Sequence, residues 1–73
     1  MIHTLKRSLE EKRAIEIIYM SHQQFSKRRI LVKHLKGEYV VGYCFLRKDI
    51  RTFRIQSILA AFPLSSRQDY NIS

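Results

Sequence analysis

Arg47, Arg51 and Arg54 stand close together and follow directly on an aromatic and β-branched run, Tyr39 to Phe45. A guanidinium keeps its charge at any physiological pH and offers a planar fork of donors, so this grouping suits phosphate or carboxylate binding rather than proton transfer. A tight turn at Arg47-Lys48-Asp49 would bring the three side chains near one another. Clustered cations repel unless something negative offsets them, either a bound anion or neighbours such as Asp49 and the glutamates. The reading favours a ligand. Lys27, Arg28 and Arg29, with Lys33 and Lys36, form a second basic stretch. It either extends a polyanion groove or is a strand edge kept soluble by charge.

Tyr39 and Tyr43 share a strand parity and point to one face. On an open face they would stack on bases. Against the helix they would be core, which the tendency of small domains to bury aromatics favours. Phe53 is expected in the core, since it alternates with Thr52 and Arg54.

Other chemistries find no support in the residue pattern. Cys44 is a lone cysteine in an apolar run, which excludes an intrachain disulfide and suits a small buried hydrophobe better than a nucleophile. His3, His22 and His34 are scattered without metal-ligand spacing. Gly37 and Gly42 stand alone, so there is no phosphate-cradling glycine loop. Glu10 and Glu11 are adjacent and do not face each other on a helix. No enzyme activity, metal or cofactor is expected.

The whole composition agrees with an anionic partner. The chain has 73 residues, a formal net charge of +8 and 45 % hydrophobic residues. That is one domain near the lower size limit for a fold held by a hydrophobic core alone, and its field attracts polyanions. No apolar run is long enough for a signal peptide or a membrane span, so a cytoplasmic location is expected and no membrane partner.

These residues need elements to position them. Ile2, Leu5 and Leu9 recur at helical spacing and predict a helix over residues 2–12. Alternation then predicts strands at 13–20, 25–33, 38–46 and 50–55. Residues 21–24, 34–37 and 47–49 are expected as turns, the first without the usual glycine signal. Ile58, Leu59 and Phe62 belong to a last short strand or helical turn closed by Pro63, and the polar tail 65–73 is expected to fray. One helix followed by four or five antiparallel strands makes a mostly β fold, a small curled sheet or barrel over residues 13–62.

With the strands in place, the chain resembles a WYL domain. In that family a strand reads Trp-Tyr-Leu-x-Ala/Gly-Tyr-Cys, continues to Leu-Arg and then to Arg-x-Phe-Arg-Leu-Asp-Arg-Ile. Here Tyr39, Gly42, Tyr43, Cys44, Leu46, Arg47, Arg51, Phe53, Arg54 and Ile58 fall on that pattern. Arg13 to Tyr19 is similar to the family's first strand and Arg28 to Val32 to its second. The departures are Glu38 for the Trp, Val40 for the Leu, Phe45 for a frequent His, and Gln56-Ser57 for the Asp-Arg pair. The anion-binding part therefore carries over better than the base-stacking part.

The resemblance implies an SH3-like or Sm-like β-barrel with an N-terminal helix. It also implies a ligand-binding regulatory role, since family members usually sit behind a helix-turn-helix domain in bacterial transcription regulators, or in phage-defence and helicase proteins. Their modules are proposed to sense nucleic acid, in some cases single-stranded DNA, or nucleotide-like ligands. The length leaves no room for a separate helix-turn-helix domain, so the chain reads as a free-standing module of a bacterial or phage protein. The expected function is non-enzymatic binding of nucleic acid or a nucleotide-like anion through Arg47, Arg51 and Arg54, with Tyr39, Tyr43, Lys27, Arg28 and Arg29 as further contacts. The alternative is an interaction protein that forms a homodimer, or docks on a larger protein, through its helix or a sheet edge.

Overall fold

The computed structural model describes residues 1–64; the predicted polar tail lies outside the described residues. The helix α1 spans Ile2–Glu11 and ends where Lys12 takes a left-handed conformation, its N–H donating to the Ser8 carbonyl. Five strands follow: β1 Ile15–Ser21, β2 Gln24–Lys36, β3 Tyr39–Cys44, β4 Asp49–Arg54 and β5 Ile58–Pro63. All neighbouring pairs are antiparallel, in the order β4-β3-β2-β1-β5. The mostly β prediction holds, with a qualification. The sheet curls into a barrel-like shape, but its edge strands β4 and β5 do not pair, so the barrel is not closed.

Several boundaries differ from the sequence expectation for local reasons. The first hairpin turns on His22 and Gln23, both at positive φ, as a two-residue type I′ turn requires. This explains how a tight turn forms there without glycine. The expected turn at 34–37 is mostly strand: β2 continues to Lys36, and only Gly37, at φ 53°, and Glu38 make the turn. Alternation breaks at a bulge where the β2–β3 register slips between Val32 and His34, and a broken alternation reads like a strand end. The third strand stops at Cys44 rather than 46, and the chain turns over Phe45 to Lys48. Of the two alternatives for Ile58, Leu59 and Phe62 the strand is found, β5, and a 3₁₀ turn over Ile55–Ser57 leads into it.

The core gathers Leu5 of α1 with Ile15, Ile17, Ile30, Val32, Val40, Cys44, Phe53 and Ile58, all on one face of the sheet or under it. Phe53 is buried, as expected. Of the helix residues at apolar spacing, Leu5 is buried and Leu9 packs against the core, but the buried face is completed by Ser8 rather than Ile2. Ile2 is 47 % exposed, whereas Ser8 is 1 % exposed. The Ser8 hydroxyl donates to the Arg13 carbonyl at 2.6 Å and accepts from the Val32 N–H at 3.1 Å. Val32 lies beyond Ile15↔Ile30, the last partner pair of the β1–β2 ladder, so a serine on the helix supplies the hydrogen bonds the missing strand would have made.

Candidate anion-binding cleft

Alternation along the strands sorts the basic residues before any ligand is considered. On β4, Phe53 points into the core, so Arg51 shares its face while Arg54 points to the other side. On β2, Ile30 and Val32 are core, so Arg28 lies on their face and Lys27 and Arg29 on the opposite one. Arg28 is the cross-strand partner of the buried Ile17, and Arg51 of the buried Gly42. Core-facing positions that leave the apolar interior thus become cationic at the open end of the curled sheet.

There the β1–β2 hairpin faces the β3–β4 corner across a cleft of about 400 Å³. Arg28, Arg47 and Arg51 line it, together with the rings of Tyr19 and Phe53, the hydroxyls of Ser21 and Ser26, and Phe25 and His22 at the hairpin. Phe25 is 66 % exposed. Among the described residues the ion pairs are Arg7–Glu11 and Arg13–Glu11, and no carboxylate pairs with the cleft arginines. Asp49, the nearest candidate in sequence, instead accepts the Ile50 N–H on Oδ1 at 2.8 Å. Among the described residues, Arg28 donates to the Ser26 hydroxyl, at 3.5 Å, and to no carboxylate. An arrangement of uncompensated guanidiniums with hydroxyl donors beside two rings can bind an anion that carries an apolar or planar part.

The expected arginine trio is therefore divided. Arg47 and Arg51 come together with Arg28, whereas Arg54 is the cross-strand partner of Tyr39 on the outer face. Tyr39 is 46 % exposed and Tyr43 half-buried, both on the side away from the core, so the favoured core placement does not describe them. Lys27 and Arg29 share that outer side, and Lys33 and Lys36 are exposed. Sequence reasoning missed Tyr19, Ser21, Ser26, Phe25 and His22, because only the curl of the sheet carries the first hairpin over to β4. Among the described residues no group of three His, Cys, Asp or Glu is placed to hold a metal, and no helix is long and apolar enough to cross a membrane.

A family model described as the WYL domain matches residues 1–63. Among solved structures, proteasome accessory factor B/C (PafBC) of Arthrobacter aurescens is similar, with a TM-score of 0.81 and 19 % identity over 97 % of this chain. The chain corresponds to 13 % of that protein's length. No curated protein matches the sequence.

Proposed function

The chain belongs to the WYL-domain family, and from that premise we propose that it is a non-enzymatic regulatory module binding nucleic acid or a nucleotide-like anion in the cleft between the first hairpin and β4. The observation that carries this reading is the convergence of Arg28, Arg47 and Arg51 on one cleft without a carboxylate partner among the described residues. Charge-assisted bonds from guanidiniums are the strong ones, and each fork matches two phosphate oxygens. The cleft volume lies within the range of small-ligand sites, about 300–1,000 Å³, so one nucleotide unit fits while a longer strand continues over the rim. Tyr19 and Phe53 give the floor an apolar character, and Phe25 at the rim offers a stacking surface.

In this reading Arg54, Lys27 and Arg29 add to the long-range field, and neither they nor Tyr39 and Tyr43 hold the ligand. The role is regulatory sensing, as the family implies, and a nucleic-acid or nucleotide ligand places the module in the cytoplasm. Fluorescence anisotropy with labelled single-stranded DNA, RNA and small nucleotides tests it. Binding lost in Arg28→Ala and Arg51→Ala variants that remain folded supports the cleft, and unchanged binding in both rejects it.

A further inference from the structure

The side of the sheet away from the cleft carries a second surface. The register sets Ile50 of β4 beside Tyr43 of β3, and Tyr43 beside Leu31 of β2, all on the outer face. Phe45, in the following turn, meets the Tyr43 ring edge-to-face with centroids 5.1 Å apart. Ile50 and Phe45 keep 48 % and 42 % of their surface exposed. The helix does not cover this row, because it lies on the core side, where Leu5 and Ser8 are buried against the sheet. Strand alternation therefore aligns apolar side chains across three strands on a face that nothing in the described fold shields.

Charge says what would cover it. On the same outer face stand Lys27 and Arg29 of β2 and Arg54 of β4, none in an ion pair among the described residues. Among the described residues the strand carboxylate on this face is Glu16, half-buried and opposite Arg29. An apolar row framed by cations disfavours a second copy of this chain, whose net charge is also +8. It also fits nucleic acid less well, since its two rings, Tyr43 and Phe45, pack edge-to-face on each other and Ile50 and Leu31 offer no π-face on which a base could stack. We propose that this outer face docks an acidic, amphipathic segment of another protein, with its apolar side chains on Ile50, Tyr43, Leu31 and Phe45 and its carboxylates toward Arg29 and Arg54. The surface is separate from the cleft, so one module can hold an anionic ligand on one side and a protein on the other.

The test is selection of displayed random peptides on the immobilised full chain, followed by binding measurements with one synthesised winner. Enriched peptides are expected to mix Asp or Glu with bulky apolar residues. Ile50→Lys should weaken the winner by about tenfold or more, as loss of a central interface anchor does. Phe45→Ala should weaken it too, and Arg51→Ala should leave it unchanged. No enrichment, winners without acidic residues, or a winner insensitive to Ile50→Lys in a protein with wild-type melting would overturn the proposal. So would loss of single-stranded DNA binding in Ile50→Lys with retention in Arg51→Ala, which would make the outer face the nucleic-acid surface.

Discussion

The ring of Tyr19 meets the ring of Phe53 edge-to-face, with centroids 5.0 Å apart and planes at 79°. Tyr19 belongs to β1 and Phe53 to β4, and β2 and β3 lie between those strands in the sheet. The contact exists only because the sheet curls back on itself. The same two rings line the cleft, so the packing that holds the curl also sets the floor beneath Arg28, Arg47 and Arg51. Stability and site geometry are coupled at this one contact.

Phe53→Ala should therefore cost about 3–5 kcal/mol, the range for truncating a buried phenylalanine. In a domain this small that is most of the total stability. Tyr19→Leu keeps apolar volume and should lose roughly 0.5–1.5 kcal/mol from the ring pair. Urea denaturation of both variants measures the difference. A Tyr19→Leu variant as stable as wild type would show that the ring geometry contributes nothing beyond volume.

The division of the arginines gives a sharper test of the cleft. Three phosphate contacts on a single strand predict a salt slope near −2, about −0.7 for each. Arg51→Ala should make the slope shallower by about 0.7, and Arg51→Lys should recover part of the affinity, keeping the charge but not the planar fork. Arg54→Ala, on the opposite face, should leave the slope nearly unchanged. Anisotropy titrations across a potassium chloride series read all three. A large effect at Arg54 and none at Arg51 would move the site to the outer face.

Ser8→Ala should destabilise the fold by about 1–3 kcal/mol, the penalty for a buried polar group left without its partner. It strips the Val32 N–H of its acceptor and the Arg13 carbonyl of a donor. Hydrogen exchange at the Val32 amide should accelerate selectively. An unchanged rate there would mean that water or a shifted backbone takes over the bond.

Gly42→Ala should also destabilise. A Cβ at that position would stand 2.9 Å from the backbone carbonyl oxygen of Leu31, and a backbone atom cannot rotate away. Separating β2 from β3 to make room should cost roughly 1–3 kcal/mol, as overpacking does. Thermal melting decides, and a wild-type midpoint would show that the two strands part without loss.

Acid should remove one surface contribution. The hydrogen bond from Arg7 to Glu11 holds that carboxyl below its ordinary value; slight desolvation opposes this, and the charges of Arg7 and Arg13 reinforce it. A carboxyl lowered in the folded state stabilises above its unfolded pKa, and that stabilisation fades as pH falls through the folded one. Glu11→Gln should lack this part of the pH dependence. Its stability difference from wild type should shrink toward low pH in matched denaturation series.

Alternation determined which strand residues share a side: Ile30 goes with Val32, Tyr39 with Tyr43, and Phe53 stands opposite Thr52 and Arg54, because a strand sends successive side chains to opposite sides. It did not determine which side is the core, so Tyr39 and Tyr43, expected inward, lie outward, and Arg51 and Arg54, grouped by their closeness in the chain, lie on opposite faces. Ser8 was not legible in this way, since a buried serine is explained by a Val32 N–H that lies beyond the end of the β1–β2 ladder and has no strand partner there. The length of β2 was hidden by its bulge, which breaks the period that defines a strand. The cleft itself lay beyond any local pattern. Arg28 comes from the second strand and Arg47 and Arg51 from the corner and strand that follow the third, and their meeting depends on the curvature of the whole sheet. Periodicity is a property of neighbours along the chain, whereas curvature arises from how all five strands twist and pack over one helix, and only the tertiary structure decides that.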